Sequence, residues 1–145
     1  MLNQLAEIAE KYDSEICVEV LPRQCLGNCS GELLDILTAN EKLKVCFDTN
    51  HLLKEDCTEF IAKVGSKIAT LHVSDYDFVD EQHWLPGEGV IQWDTLYNAL
   101  KASGYNGVWM YEVHPNGSRT GRTLYCDDFV RNAHAIFAGK PFSTE

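Results

Sequence analysis

Four short apolar runs, each separated from the next by a stretch of helical periodicity, constrain this chain more than any other feature. The runs are Glu15–Leu21, Lys44–Asp48, Lys67–Ser74 and Gly107–Val113. An opening helix over Met1–Lys11 carries Leu2, Leu5, Ile8 and Ala9 on one face. Further helices are predicted near Glu32–Ala39, Glu55–Val64, Trp93–Ala102 and Thr123–Ala138. Gly104 stops the fourth helix, because glycine accepts the left-handed conformation of a C′ residue, and Gly139-Lys140-Pro141 closes the last. Strands alternating with helices build βαβ units, whose neighbouring strands run parallel. The expected fold class is therefore α/β, with a parallel sheet of four strands and about five helices. The 145 residues suffice for one domain but fall well short of the roughly 250 of a closed (β/α)₈ barrel. No linker or low-complexity tract divides residues 1–145.

Along a parallel strand, side chains alternate between the sheet interior and the helix layer. Counting back by twos from the last polar residue of each run places Glu19 with Cys17, Asp48 with Cys46, His72 with Thr70, and Glu112 with Met110 on one face. The other face holds Ile16, Val18, Val20, Val45, Phe47, Leu71, Val73, Trp109 and Tyr111, bulky residues suited to packing on helices. Active sites of such sheets lie at the C-terminal strand ends, where Glu19, Asp48, His72 and Glu112 fall. Three carboxylates and an imidazole brought together repel one another unless a cation sits between them. Their oxygen-rich donor set suits Mn²⁺ best, with Mg²⁺, Co²⁺ or Zn²⁺ as further choices. One acidic residue at a strand end is ordinarily a helix cap or a solvated loop residue. Four in consecutive strands, all in one register, carry the metal reading.

The formal net charge is -10, from 22 acidic and 12 basic residues, and no basic cluster stands out. Phosphate-backbone binders need such a cluster, so nucleic acid is not the expected partner. No apolar run reaches the roughly 18 residues of a membrane span, and no leader pattern opens the chain. No membrane association and a cytoplasmic location are expected. In that setting Cys17, Cys25, Cys29, Cys46, Cys57 and Cys126 read as reduced structural thiols, those within strands acting as small hydrophobes.

Several stretches together resemble the xylose isomerase-like TIM barrels. They are Cys17-Val-Glu-Val-Leu-Pro22, Val45-Cys-Phe-Asp-Thr-Asn-His51, Leu71-His-Val-Ser-Asp75, the run from His83 to Trp93 with its Pro-Gly-Glu-Gly, and the run from Gly104 to Val113. That family includes sugar epimerases, hydroxypyruvate isomerase, inosose dehydratase and abasic-site endonucleases. The resemblance implies that this chain corresponds to the C-terminal half of such a barrel. It implies that Glu19, Asp48, His72 and Glu112 are the metal ligands and that Glu19 and Glu112 double as acid and base. His51 and His83 match substrate-side residues, and Arg23, opening the loop after the first strand, is a third substrate-binding candidate. The implied activity is isomerisation or epimerisation of a small sugar, polyol or hydroxy-keto acid by proton transfer through an enediolate. Two alternatives are a metal-dependent phosphodiesterase of the endonuclease branch and a metal-binding fragment without turnover. Glu81 stands where the endonuclease branch places an aspartate, which weighs against the first of these. A half-barrel leaves two sheet edges and an inner face open, so a homodimer closing the barrel is the expected assembly.

Overall fold

Three parallel strands form the sheet in the order β1-β2-β3: β1 Cys17–Glu19, β2 Lys44–Asp48 and β3 Ile68–His72. This computed structural model describes residues 1–140, so Pro141 lies outside the described residues. Among the described residues five α-helices accompany the sheet: α1 Leu2–Lys11, α2 Ser30–Leu37, α3 Cys57–Val64, α4 Trp93–Ala102 and α5 Cys126–Phe137. Among the described residues no helix is long and apolar enough to cross a membrane.

Local chemistry sets the helix limits. The Asp56 carboxylate accepts the Thr58 N–H at 2.7 Å and starts α3. Gly104, at φ +88°, ends α4 as expected. Its N–H reaches the Lys101 carbonyl, and the Tyr105 N–H reaches that of Leu100, the pair of bonds that defines a Schellman ending. At the start of α5, Asp128 accepts the Tyr125 N–H at 2.8 Å and pairs with Arg122 and Arg131.

The fourth expected strand is a correction. Residues 107–113 run parallel beside β3 but join it only at the bridge Val73–Tyr111. Val73 donates to the Met110 carbonyl at 2.8 Å and accepts from the Glu112 N–H at 3.0 Å. The neighbouring rungs are taken by other partners. The Val108 carbonyl accepts the Tyr105 hydroxyl, and Asp75 pairs antiparallel with Trp84. One bridge survives, and it suffices to hold Glu112 in register.

The alternation of faces follows the sequence. Val20, Val45, Phe47, Leu71 and Val73 are fully buried on the helix side, against Leu33, Phe60, Val64, Leu96 and Leu100. Phe47 stacks on Phe60 with centroids 4.9 Å apart. Burying each such side chain stabilises the fold by about 1.5–3 kcal/mol, and that layer fixes which residues must face inward. The inner face holds Cys17, Cys46, Thr70 and Met110, of which Met110 is exposed.

Candidate metal centre

Glu19, Asp48 and His72 end their strands, and Glu112 lies in the bridged segment 107–113, each held in place because the residue beside it is locked into the helix layer. Val20 anchors Glu19, Phe47 anchors Asp48, and Leu71 and Val73 flank His72. Tyr111, whose hydroxyl donates to Asn132 of α5 at 2.8 Å, anchors Glu112. The outcome is convergence: donor atoms of Glu19, Asp48, His72 and Glu112 all lie within 4.8 Å of one another. His72 Nδ1 is central, 3.1 Å from Glu19 Oε1, 3.5 Å from Asp48 Oδ2 and 3.0 Å from Glu112 Oε2.

Asp48 supplies the test of whether a cation fits. Its side chain is wholly buried, and while Oδ1 accepts the Asn50 N–H at 2.7 Å, Oδ2 has no hydrogen-bond partner among the described residues. A buried carboxylate oxygen without a donor is costly, and a cation held among three carboxylates and an imidazole removes that cost. Burial first, then the nearby Glu112 and Glu19 carboxylates, push the Asp48 carboxyl up to about 9. For Glu112 burial works upward too, but Asp48 and the imidazoles of His72, His83 and His51 outweigh it and hold the group below the ordinary glutamate range. The donor set fits a divalent ion.

The glutamates differ from Asp48 in access. Their side chains are 32% and 47% exposed for Glu19 and Glu112, against 0% for Asp48. They arrive from the two outermost parallel segments, β1 and 107–113, with Asp48 and His72 between them.

His51 lies beside the cluster, with Nδ1 3.6 Å from both Glu19 Oε1 and Asp48 Oδ2. That nitrogen is 2.9 Å from the Val20 carbonyl, which only accepts, so Nδ1 carries the proton and Nε2 faces Glu81 Oε1 at 3.6 Å. His83, in the left-handed region at φ +51°, has Nδ1 3.1 Å from the Glu112 carbonyl, and its ring stands edge-on to that of His51 at 6.1 Å. Arg23 is joined to the same rim indirectly: its guanidinium binds Asp80 at 2.5 Å and Glu81 at 2.8 Å. The loop after β1 is thereby tied to the loop after β3.

Asp75 organises this rim and was not singled out from the sequence. Fully buried, it accepts the N–H groups of Tyr76, Gly87 and Ile91 and the Trp93 indole N–H. Gly89 passes so close that a methyl there would be driven into the Tyr76 carbonyl and the Asp75 carboxylate. An acid directly beyond a strand and ahead of a Pro-Gly-Glu-Gly loop was the available signal. The six cysteines are all free thiols.

The sequence profile of the xylose isomerase-like TIM barrel matches residues 1–126. The chain belongs to the xylose isomerase-like TIM barrel family. Among relatives within it, inosose isomerase of Bacillus velezensis is 29% identical over 124 residues, covering 78% of this chain and 44% of that protein. D-psicose 3-epimerase of Ruminiclostridium cellulolyticum is 31% identical over 117 residues, covering 77% and 38%. The crystal structure of a D-tagatose 3-epimerase-like protein superposes with a TM-score of 0.75 at 26% identity, over 94% of this chain and 51% of that one. The chain thus spans about half the length of the xylose isomerase-like proteins it matches, or less. The fold is half of a TIM barrel, and the kinship is to sugar isomerases and epimerases.

Proposed function

We propose that this chain carries the metal-binding catalytic half of an isomerase or epimerase acting on a small sugar, polyol or hydroxy-keto acid. The observation that carries the reading is the convergence of Glu19, Asp48, His72 and Glu112 around the unpartnered Asp48 Oδ2. Those four residues would hold a divalent ion, Mn²⁺ foremost, and the bound ion would stabilise negative charge developing on a substrate oxygen. Moving a proton next to a carbonyl needs a base on one side and an acid to return it. Glu19, half-buried, and Glu112, exposed, arrive from opposite flanks and fill those roles, the reaction passing through an enediolate. Asp48, buried and out of a substrate's reach, serves only as a ligand. His51 Nε2 and the His83 ring line the rim where substrate hydroxyls would sit, and Arg23 holds Glu81 behind His51.

In the same reading the open inner face and free sheet edges are covered by a second half-barrel, and a second copy of this chain fills that place in a homodimer. The setting is cytoplasmic. The test is metal counting by mass spectrometry alongside epimerisation of ketohexoses and inososes by the barrel-closed form. One bound ion with turnover that Glu112→Gln reduces by several orders of magnitude is the expected result. Near-normal turnover in Glu112→Gln, with metal still bound, overturns the two-glutamate assignment. Metal without turnover on any such substrate leaves only a binding fragment.

A further inference from the structure

One further donor, the Cys46 thiol, lies beside the four ligands. Cys46 precedes Asp48 by two residues on β2 and so faces the same inner side of the sheet. It pairs in register with Glu19 of β1 on one side and Thr70 of β3 on the other, and it is 5% exposed. Its sulfur, a Glu19 oxygen and a His72 nitrogen all lie within 4.8 Å of one another. Metal–donor bonds of about 2.0–2.3 Å put two donors of one ion at most roughly 4.5 Å apart, close to the 4.8 Å within which these three donor atoms lie. Asp48 Oδ2, two residues further along β2 on the same side of the sheet and without a hydrogen-bond partner among the described residues, leaves that side short of positive charge.

We propose that Glu19, Cys46 and His72 form an inner position, alternative to the four-ligand one, for a thiophilic divalent cation such as Zn²⁺, Co²⁺ or Cd²⁺. The inference rests on the reading that the strand-end residues hold a divalent ion, and it adds a determinant of which ion is held. Thiolate favours soft ions, whereas carboxylate suits Mn²⁺ and Mg²⁺. Hard ions therefore stay with the outer set of Glu19, Asp48, His72 and Glu112, and soft ions move one layer inward. Both positions use Glu19 and His72, so they are filled in competition. Coordination releases the thiol proton to solvent and changes no oxidation state. On this account Cys46 is more than the small hydrophobe its strand position predicts.

The experiment titrates the metal-free chain with Co²⁺ while recording near-ultraviolet absorption, and in parallel follows Mn²⁺ binding by electron paramagnetic resonance. The native chain should show a thiolate-to-cobalt charge-transfer band that Cys46→Ser abolishes and Cys17→Ser retains. Cys46→Ser should also weaken Zn²⁺ and Cd²⁺ binding by at least the roughly 10–100-fold that losing a metal's outer-sphere partner costs, with Mn²⁺ binding unchanged. Cys46→Ala, checked by circular dichroism, provides a second variant should the serine disturb the strand. Cobalt bound without a charge-transfer band, or a band that survives in both Cys46 variants, overturns the inference and leaves the Mn²⁺ site standing. Failure to bind either Co²⁺ or Mn²⁺ overturns both.

Discussion

Replacing Asp75 should disconnect the rim of the site from the sheet without touching a metal ligand. Its two oxygens divide the work: Oδ1 accepts from Tyr76 N at 2.9 Å and Ile91 N at 3.2 Å, and Oδ2 from Gly87 N and the Trp93 indole, both at 2.8 Å. Asp75→Asn keeps one acceptor and turns an NH₂ toward the other pair of donors. Asp75→Ala removes both acceptors. Tyr76 and Trp93 are buried, and each buried donor left without a partner costs about 1–3 kcal/mol. The expected losses in unfolding free energy are therefore about 2 kcal/mol for Asp75→Asn and about 4 kcal/mol for Asp75→Ala. Because the bonds to Gly87 and Ile91 fasten the loop that carries His83, amide exchange there should accelerate in both variants before global unfolding does. Urea denaturation followed by tryptophan fluorescence, with hydrogen exchange read by mass spectrometry, measures both effects. An Asp75→Ala variant within about 0.5 kcal/mol of native, with protection unchanged over residues 83–91, would refute the assignment of Asp75 as the anchor of this loop.

His51→Ala should leave Mn²⁺ bound and raise the KM of the complete enzyme more than it lowers kcat, which steady-state kinetics with metal counting resolves. The isolated chain should dimerise more tightly with added Mn²⁺ and less with a chelator, because closing two copies around one axis crowds three carboxylates from each; light scattering showing a monomer at micromolar concentration with metal present would refute it. Asp128 is held below the ordinary carboxylate range, chiefly by the Tyr125 N–H and then by Arg131 and Arg122. A depressed folded value stabilises above the unfolded pKa of about 3.9 and is lost as pH falls through the folded value. Native protein should accordingly lose stability below about pH 4 more steeply than Asp128→Asn, as acid titration monitored by circular dichroism will show.

Much of the site was legible because strand alternation is a local rule. Once Phe47 and Leu71 are committed to the helix layer, Asp48 and His72 must face inward, and their positions at the strand ends follow from the polar residues beyond. The ends of α4 and the limits of β2 were equally local, set by Gly104 and by the run Lys44–Asp48. Alternation along one strand also places Cys46 beneath Asp48, but it says nothing of distances between strands, so the approach of its sulfur to His72 was out of reach.

What the sequence determined by itself was the set of side chains that share the inner face, since a period of two needs only the neighbouring residues. Tertiary structure alone decided how the chain is closed around them. The reduction of 107–113 to a single bridge depends on the Tyr105 hydroxyl and on Trp84 occupying the adjoining rungs. The anchoring of the rim by Asp75 depends on donors 12 to 18 residues away. The tie from Arg23 to Asp80 and Glu81 spans two loops separated by 57 and 58 residues. The physical reason is common to all three. A hydrogen bond or ion pair satisfies a polar group with whichever partner the packed helix layer brings within about 3 Å, and that choice is made only once the core has formed.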